Sequence, residues 1–515
     1  MTAELDGRTP CIIGAAQRTW HPGSQPAPEP LQMWSEMVHA AAEDTGVAAG
    51  KVLEKIGDLA VLYCQSWRYD DPPARLSDAL GIDPARSLYS GIGGTTPHVL
   101  ISEASAAIAA GDLDVAVVVS AEALETIRQY KKAGERPDWS YHDPVKRPFP
   151  FEEPFHPSEI AHSVFQAWLT FAVFDIARRA QLGIPPAEYR RQLGELLAPM
   201  TAVAEANPNA WFRRRHTAED LIEPTPANRM VGYPYTKTMV AIMDVDMAAA
   251  VVLASEEAAD ALGVPPERRV YPRGFAYATD PIYVAEHEPL WASPAMASAS
   301  AAALSAASAG VDDIAHFDLY SCFGSSLNLA IDALGLSPSD PRGFTVTGGL
   351  PFAGGPGSGY MLHSTAAMVD VLRGDPGSLG MVSGVGMHMT KHAFGLYSSA
   401  APDSIDWIRG AAGAPGSAPA SIRPARPIEN SHSGEATIAA YTVVHARSGE
   451  PEWGLVVCDI PGGARAYGRV EDPGLLSDME SEEWVGTVVQ MQSGEAGINR
   501  VVSVERERMS ARAGA

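Results

Sequence analysis

GDLDVAVVVSA at residues 111–121 and GDPGSLGMVSG at residues 374–384 decide the fold, because the second stretch repeats the first. In each, a Gly-Asp pair lies nine residues before a serine that is followed by a small residue. An alanine-rich helical pattern precedes each copy and ends at Gly111 in the first and at Gly374 in the second. Repetition over this distance predicts two similar structural units in one chain.

The motifs upstream of the two copies also follow the same order. A glycine pair precedes each helical pattern, at Gly93-Gly94 and at Gly354-Gly355. Further upstream, IGDLAVLYCQS at residues 56–66 is similar to VDDIAHFDLYS at residues 311–321, and both read as an acidic turn followed by an apolar strand. Continuous apolar runs suit a sheet that is covered on both faces, and their alternation with helices predicts an α/β fold.

Changes in composition divide the chain into five segments. Proline, aromatic and charged clusters such as RPFPFEEPFHP and FRRRH interrupt the repeat around a helical pattern at residues 160–180. An Ala/Gly/Pro/Ser linker at residues 411–424 is followed by ATIAAYTVV and WGLVVCDI, which flank RSGEPE and predict a hairpin within a small β-barrel of oligonucleotide/oligosaccharide-binding shape. The predicted segments are an N-terminal half at 1–125, an inserted loop domain at 126–240, a C-terminal half at 241–408, a linker at 409–428 and a β-barrel domain at 429–515.

The charge and cysteine content exclude several classes of protein. Among 515 residues, 38 Lys and Arg face 62 Asp and Glu, so the net charge is −24 and a nucleic-acid partner is not expected. Four cysteines without CxxC spacing exclude a disulfide scaffold and a zinc ribbon and indicate a reducing compartment. The acidic start MTAELDG and the absence of a long apolar run predict a cytoplasmic protein without a membrane span.

Five blocks occur in order along the chain: CIIGAAQRT, NPNAWF, MDVDMAAAVVLAS, YSCF and GGLPFAGGPGSG. Through these blocks, over roughly residues 8–400, the chain resembles the thiolase superfamily. The resemblance is closest to sterol-carrier-type thiolases and to actinobacterial thiolase-like proteins with an additional C-terminal domain. It implies the five-layered thiolase fold, built from two similar βαβ-type halves with an inserted loop domain. It also implies a protein of the acetyl-CoA acetyltransferase type, with a coenzyme A thioester as substrate or ligand and no tightly bound cofactor.

The residues that carry thiolase chemistry are replaced in this sequence. The family places its nucleophilic cysteine at a helix N-terminus, where the amide dipoles lower the thiol pKa, and that position is Gly94. The activating histidine of its glycine-histidine-proline block corresponds to Gly355. Its second cysteine falls near Ser383 or Gly384. The resemblance therefore implies little or no thiolase activity.

Other residues keep the features of a ligand site. Thr95 and Thr96 begin the helix after Gly94, and its free N–H groups could hold a thioester oxygen, although a capped core helix without a ligand is the alternative. Cys322 in YSCF lies where sterol-carrier-type thiolases have a functional cysteine, or else is a small buried hydrophobe. A cluster in the loop domain could meet the phosphates of coenzyme A or form a solvated turn, and comprises Arg213, Arg214 and Arg215.

Two tyrosines and a histidine indicate a different reaction. Tyr320 takes the histidine position of the YSCF block, and Tyr360 with His363 follows the second glycine pair. Steroid side-chain aldolases of the same superfamily look similar here, and their retro-aldol cleavage of a β-hydroxyacyl-CoA needs a proton acceptor and an acid but no cysteine. A tyrosine acting as base needs a lowered pKa, which we expect Lys391 or the pair His388 and His392 to provide. Packed, hydrogen-bonded rings are the alternative.

Three functions remain open from the sequence. They are a degenerate thiolase-like protein that binds acyl-CoA, a tyrosine-dependent retro-aldolase, and a non-catalytic acyl-CoA or lipid binder. His388 and His392 have metal-ligand spacing but no third ligand motif, so no metal is expected. Thiolases pair through their first half, and an added domain could block that surface, so homodimerisation also stays open.

Overall fold

The computed structural model describes residues 5–23, 26–145, 155–410 and 425–505. Most of the predicted linker, residues 411–424, lies outside this part of the chain. The elements up to residue 133 are β1 (Pro10–Thr19), α1 (Pro30–Asp44), α2 (Ala49–Leu53), β2 (Asp58–Val61), α3 (Pro72–Leu80), β3 (Arg86–Tyr89), α4 (Thr96–Ala110), β4 (Val115–Ala123) and α5 (Leu124–Ala133).

The inserted segment is mostly helical and ends in a short hairpin. Its predicted helix at 160–180 corresponds to a short helix followed by a longer one. The elements are α6 (Pro157–Ala161), α7 (Ala167–Leu182), α8 (Pro186–Ala206), α9 (Ala218–Ile222), β5 (Met230–Gly232) and β6 (Tyr235–Thr236).

Strands and helices alternate again after the insertion, and the C-terminal region is mostly strand. Up to residue 410 the elements are β7 (Asp246–Ser255), α10 (Glu256–Leu262), β8 (Tyr271–Thr279), α11 (Pro294–Ala306), β9 (Ile314–Asp318), α12 (Gly324–Leu334), α13 (Leu350–Ala353), α14 (Tyr360–Gly374), β10 (Leu379–Gly386), β11 (Lys391–Ser398) and α15 (Asp406–Gly410). The last elements are β12 (Gly434–His445), β13 (Pro451–Asp459), β14 (Arg465–Val470), α16 (Pro473–Ser481), β15 (Val488–Ser493) and β16 (Asn499–Glu505).

Two sheets of matching topology confirm the repeat. The first has the order β1-β7-β4-β2-β3, in which β7 is antiparallel to both β1 and β4, and β2 is parallel to β4 and β3. The second has the order β8-β11-β10-β9, with β11 antiparallel to both neighbours and β9 parallel to β10. The second sheet therefore has the order and strand directions of the first without its last edge strand.

Strand β7 lies in a different half from the one expected. The sequence division placed everything after residue 240 in the C-terminal half, but β7 pairs along its length with β1 and β4 of the first sheet. The chain returns from the insertion to complete the first sheet before it builds the second. The residue pattern of β7 could not predict which sheet the strand joins, because a buried strand has the same continuous apolar sequence in either sheet.

The two repeated helices lie between the two sheets. Both α4 and α14 contact strands of both sheets, α1 covers the outer face of the first sheet, and α11 covers the outer face of the second. All residues of β4 and β7 are buried, as a sheet covered on both faces requires. This is the five-layered arrangement, and it brings the N-termini of α4 and α14 to the boundary between the halves.

The C-terminal strands form a barrel that is joined to the insertion. Strands β13, β14, β16, β15 and β12 follow one another in the sheet, and pairing of β12 with β13 closes it. The β5–β6 hairpin extends this sheet by pairing Gly232 with Val444, and α7 packs against β12. The barrel is therefore packed onto the inserted segment. In the part of the chain that the structure describes, no helix is long and apolar enough to cross a membrane.

Candidate active site

Gly94 lies at the N-terminal end of α4, in contact with the second half of the molecule. The helix begins at Thr96, and Thr95 is its cap residue. A Cβ atom added to Gly94 would lie 2.1 Å from the carbonyl oxygen of Val385 and 2.9 Å from Oη of Tyr320. Because backbone fills the place of a side chain, this position cannot hold a cysteine unless the chain moves.

The other two replaced positions are also occupied by structural contacts. The Gly355 N–H donates to the carbonyl of Ile242 at 2.8 Å. The Ser383 hydroxyl accepts a hydrogen bond from the Tyr320 N–H at 2.9 Å and is buried. Gly94 and Ser383 thus both contact Tyr320, which makes this tyrosine the centre of the site.

The Tyr320 side chain is buried, and its hydroxyl is without a hydrogen bond to any residue in the described ranges. Its ring packs edge-on against Tyr360, with the ring centroids 5.4 Å apart and the planes at 88°. Burial, and then the neighbouring Cys322, raise the pKa of the Tyr320 hydroxyl far above its ordinary value. The hydroxyl therefore stays protonated at neutral pH and can donate a hydrogen bond to a ligand beside Gly94.

The expectation that a nearby cation lowers the pKa of this phenol is wrong. His388 hydrogen-bonds the Thr170 hydroxyl at 2.7 Å, and burial lowers its pKa to about 4. His392 lies 3.2 Å from Asp280 and 2.9 Å from the carbonyl of Met389. Burial lowers the pKa of Lys391 as well. The two histidines face different partners and do not form a pair, although their spacing suggested one.

Tyr360 is held in a buried polar network. Its hydroxyl donates to Oδ1 of Asp318 at 3.1 Å and lies 2.7 Å from the Thr347 hydroxyl. Desolvation and the Asp318 charge raise the pKa of Tyr360 well above its ordinary value. Sequence reasoning missed Asp318, although it ends an apolar strand in the quoted VDDIAHFDLYS. The Asp318 carboxylate also accepts hydrogen bonds from three hydroxyls and two N–H groups. The donors are the hydroxyls of Thr345, Thr347 and Ser364 and the N–H groups of Val346 and Thr347.

His363 faces the opposite sheet from Tyr360. Its Nδ1 lies 3.2 Å from Oε1 of Gln17 in β1, and its buried Nε2 has no partner among the described residues. Burial lowers the pKa of His363 to about 3, so the ring is neutral. The structure therefore brings Tyr320 and Tyr360 together and binds His363 to the other half. Their catalytic roles stay predictions.

Cys322 lies beside Tyr320 in an apolar setting. Its thiol donates to the Ser326 hydroxyl at 3.5 Å, and burial raises its pKa to about 12. The next residue, Phe323, stacks on Phe171 of α7 with ring centroids 4.7 Å apart. A protonated thiol in this setting is suited to packing rather than to nucleophilic attack.

The three arginines of the inserted segment are exposed near the glycine block. Just before them, the N–H groups of Trp211 and Phe212 donate to the carbonyls of Ala353 and Phe352 at 3.0 and 2.9 Å. Residues 213–215 follow directly and are exposed to solvent, and Arg213 also donates to the carbonyl of Glu205 at 3.4 Å. This pairing holds the cluster beside the segment that leads into Gly354-Gly355.

Glu122 is a second buried carboxylate that sequence reasoning missed. It accepts hydrogen bonds from the N–H groups of Gln65 and Ser66 at 2.8 and 3.0 Å. Its Oε1 lies 2.8 Å from the place where a Cβ of Gly357 would stand. Burial raises the pKa of Glu122 to about 7. The available signal was one acidic residue at the end of the otherwise apolar strand β4.

Two matching sheets around two helices, with an insertion and a site at the helix ends, define a thiolase-fold protein. The chain is 31% identical to a monomeric SCP2-thiolase-like protein type 1 from Mycobacterium smegmatis, over 97% of this chain and 100% of that one, with a TM-score of 0.80. The chain therefore belongs to the SCP2-thiolase-like protein type 1 family. Residues 420–496 match the family model for the thiolase-like protein type 1 additional C-terminal domain.

More distant structures share the fold. An Ltp2-ChsH2(DUF35) aldolase matches with 18% identity and a TM-score of 0.58, over 77% of this chain and 99% of that one. An acetyl-CoA acetyltransferase from Syntrophomonas wolfei matches with 15% identity and a TM-score of 0.53, over 77% of this chain and 100% of that one. No curated protein sequence matches the chain.

Proposed function

We propose that the chain binds an acyl-CoA thioester in its thiolase-type site and does not form an acyl-enzyme. The observation that carries the proposal is the carbonyl of Val385, which fills the place of a side chain at Gly94. Cys322 does not take over as nucleophile, because burial raises its pKa to about 12. Covalent acyl transfer needs a thiolate, and neither position supplies one.

The same geometry supports binding. At the N-terminus of α4 the Thr96 N–H donates to the carbonyl of Gly93 and Pro97 has no N–H, while the N–H groups that remain and the helix dipole favour negative charge. The protonated hydroxyl of Tyr320 lies against Gly94 at this helix end. Together these donors suit a thioester carbonyl oxygen. The exposed arginines 213–215, held beside the glycine block, suit the phosphates of coenzyme A.

Calorimetry with coenzyme A, acetyl-CoA and octanoyl-CoA tests binding, and intact-protein mass spectrometry with acetoacetyl-CoA tests acylation. We expect micromolar affinity, roughly −8 kcal/mol, and no mass increase. Replacing Arg213, Arg214 and Arg215 together by Ala should weaken binding and reduce its dependence on salt. Replacement of Arg191, Arg268 and Arg500 by Ala removes the same charge elsewhere and is the matched control. A stable acyl adduct would refute the proposal, and so would a lack of binding to every thioester.

A retro-aldolase acting on a β-hydroxyacyl-CoA is the second candidate, favoured by the unpartnered hydroxyl of Tyr320. In such a reaction a base takes the hydroxyl proton, the C–C bond breaks to give a carbonyl product, and its electron pair forms the enolate of the shortened thioester. Tyr320 would donate to that enolate, while Tyr360 would accept the hydroxyl proton as it passes its own to Asp318. Release of an aldehyde or ketone by the wild type but not by Tyr320→Phe would establish this function.

A further inference from the structure

The internal repeat gives the site at Gly94 a counterpart just before α14. By the spacing between the two copies of the repeat, Gly357 corresponds to Gly94 and Glu122 corresponds to Val385. Their contacts correspond as well. A Cβ added to Gly94 would lie 2.1 Å from the carbonyl oxygen of Val385, and a Cβ added to Gly357 would lie 2.8 Å from Oε1 of Glu122. At each glycine, an oxygen from the end of a strand in the other half thus approaches the start of a helix.

The two helix starts differ in their polar groups. By the same alignment, Gln65 corresponds to Tyr320 and Ser120 corresponds to Ser383. The Tyr320 N–H donates to the Ser383 hydroxyl at 2.9 Å, whereas the Gln65 N–H donates to Glu122 at 2.8 Å. The buried Ser120 hydroxyl has no hydrogen-bond partner among the described residues. Glu122 therefore replaces a serine as acceptor, and it places a titratable group where the first site has a backbone carbonyl.

A short segment links Glu122 to the start of α4. The carboxyl lies against Gly357, and the next residue, Ser358, accepts a hydrogen bond from the N–H of Gly93 at 3.0 Å on its hydroxyl. Gly93 directly precedes Gly94. On its other side, Glu122 accepts two N–H groups of the loop after β2 at 2.8 and 3.0 Å. A change in the position of Glu122 is therefore transmitted to the residues beside which we place the thioester.

The groups that face Glu122 are uncharged at neutral pH. Cys64 Sγ lies 3.8 Å from its Oε2, and the phenols of Tyr63 and Tyr89 also interact with it. Burial raises the pKa of all three groups, so they stay protonated. In the adjacent strand β7, the residue opposite Glu122 is Met247. Burial raises the pKa of Glu122 to about 7, so its charge responds to small changes near neutral pH.

We propose that Glu122 is a positioning residue for the ligand site, which its protonated carboxyl holds in the binding geometry through Gly357 and Ser358. This inference rests on the proposed function, because it assumes that the thioester group lies beside Gly94. Ionisation of Glu122 places an unpaired charge beneath the glycine turn, and the need to hydrate that charge loosens the turn. A bound thioester excludes water and adds phosphate charges, and both effects favour the protonated carboxyl. Binding above pH 7 should therefore take up a proton.

Titration calorimetry on the full chain with octanoyl-CoA, between about pH 5.5 and 8.5, tests the inference. The wild-type affinity should fall by up to about tenfold for each pH unit above about 7. Measurement in two buffers of different ionisation enthalpy should show uptake of about one proton near pH 8. The phosphate of the ligand also titrates, with a pKa of about 6, but it does so equally with every variant. In Glu122→Gln the affinity should change with pH no more than this phosphate requires.

Two further variants identify the route and control for the loss of a carboxyl. Ser358→Ala removes the acceptor of the Gly93 N–H, so it should flatten the pH profile although Glu122 still titrates. Glu103→Gln is the matched control and should keep the wild-type profile. Glu103 is partly buried, burial raises its pKa, and it lies in α4, about 10 Å from the start of the helix. Thermal unfolding at both pH limits checks that each variant is folded.

The outcomes separate the two proposals. If octanoyl-CoA binds with the same pH dependence in the wild type and in Glu122→Gln, Glu122 does not position the site and the proposed function stands. Binding to the wild type without proton uptake, or an unchanged profile in Ser358→Ala, would also overturn the positioning role. These two measurements decide the matter if Glu122→Gln does not fold. If no thioester binds at any pH, the proposed function fails and the positioning role fails with it.

Discussion

At Gly94 a single missing side chain changes the chemistry that the fold can perform. The helix end that would lower a thiol pKa is retained, but the Val385 carbonyl stands where the thiol would project. Restoring the cysteine therefore means moving a strand end as well as replacing one residue.

Gly94→Cys should destabilise the protein and leave it unable to form an acyl-enzyme. An added Cβ would lie 2.1 Å from the Val385 oxygen, and overpacking of this kind costs about 1–3 kcal/mol. Urea unfolding measures the loss, and intact mass after incubation with acetoacetyl-CoA detects acylation. Gly91→Cys is the control, because no atom lies within 4 Å of a Cβ there. An acyl adduct on the introduced thiol of Gly94→Cys, at wild-type stability, would show that the backbone yields easily.

Tyr320→Phe should mainly reduce ligand affinity, whereas Tyr360→Phe should mainly reduce the free energy of unfolding. The Tyr320 hydroxyl has no hydrogen bond to a described residue, so its removal should cost about 0.5 kcal/mol or less. The Tyr360 hydroxyl contacts Asp318 and Thr347 in a buried network, so its loss should cost about 1–3 kcal/mol. Urea unfolding of both variants gives this comparison. Thioester affinity should fall more in Tyr320→Phe than in Tyr360→Phe, and the reverse order would place the ligand elsewhere.

The free energy of unfolding should fall as pH rises, because Glu122 is buried and binds its proton more tightly in the folded chain. Its carboxyl has a pKa of about 7 in the folded chain, against an ordinary value of about 4.3 in the unfolded chain. The folded state thus holds the proton more tightly, so this contribution is fully present below about pH 4 and is lost as pH rises through about 7. The resulting loss in the free energy of unfolding is roughly 4 kcal/mol.

Urea unfolding between pH 4.5 and 8 should show this decline in the wild type and a flatter profile in Glu122→Gln. Glu195→Gln, at an exposed position of α8, is the control for loss of any carboxyl. If both variants retain the wild-type slope, another group is responsible.

At the scale of elements, the sequence predicted what depends on local pattern. The helices ending near Gly111 and Gly374 and the strands after them were found because their glycine, alanine and valine order repeats. Strand β7 was assigned to the wrong half because strand pairing across a long insertion leaves no local signal.

The site was predictable only in part for the same reason. The replaced positions could be read from the glycine blocks, and Tyr320 and Tyr360 do meet. The partners that determine their chemistry come from other elements, as Asp318 does for Tyr360 and Gln17 does for His363. Neither helical spacing nor residue type reveals a partner on another sheet. Burial likewise raised the phenol pKa where nearby cations had been expected to lower it.

At the scale of the whole molecule, the barrel is joined to the body by buried polar contacts. Arg179 of α7 donates to the Tyr441 hydroxyl at 2.8 Å and pairs with Glu483 at 2.9 Å. Tyr467 donates to Glu159 at 2.8 Å and accepts from the N–H of Ala285 at 2.9 Å. The sheet shared between β5 and β12 adds a backbone connection. If the barrel or the insertion unfolded alone, these buried polar groups would lose their partners on the unit that stays folded, at a cost in free energy. The barrel and the insertion should therefore unfold together.

Arg465→Ala should weaken the whole molecule rather than the barrel alone. The buried guanidinium donates to the carbonyls of Ala285 and His287 at 3.2 and 2.5 Å. It also pairs with Asp459 and Glu288 at 2.8 and 3.0 Å. Its loss leaves the two buried carbonyls without this donor, while both carboxylates stay partly exposed and paired with Arg426 at 2.8 Å, so the cost should be about 1–3 kcal/mol.

Calorimetric unfolding should show one cooperative transition in the wild type and one transition at lower temperature in Arg465→Ala. Arg500→Ala, which removes an exposed pair with Glu471 at 3.2 Å, should change stability by less than about 1 kcal/mol. Two separate transitions in the wild type would show that barrel and body fold independently. In that case the contacts of Arg465 would join two units that are each stable alone, and its replacement should lower only the transition of the barrel.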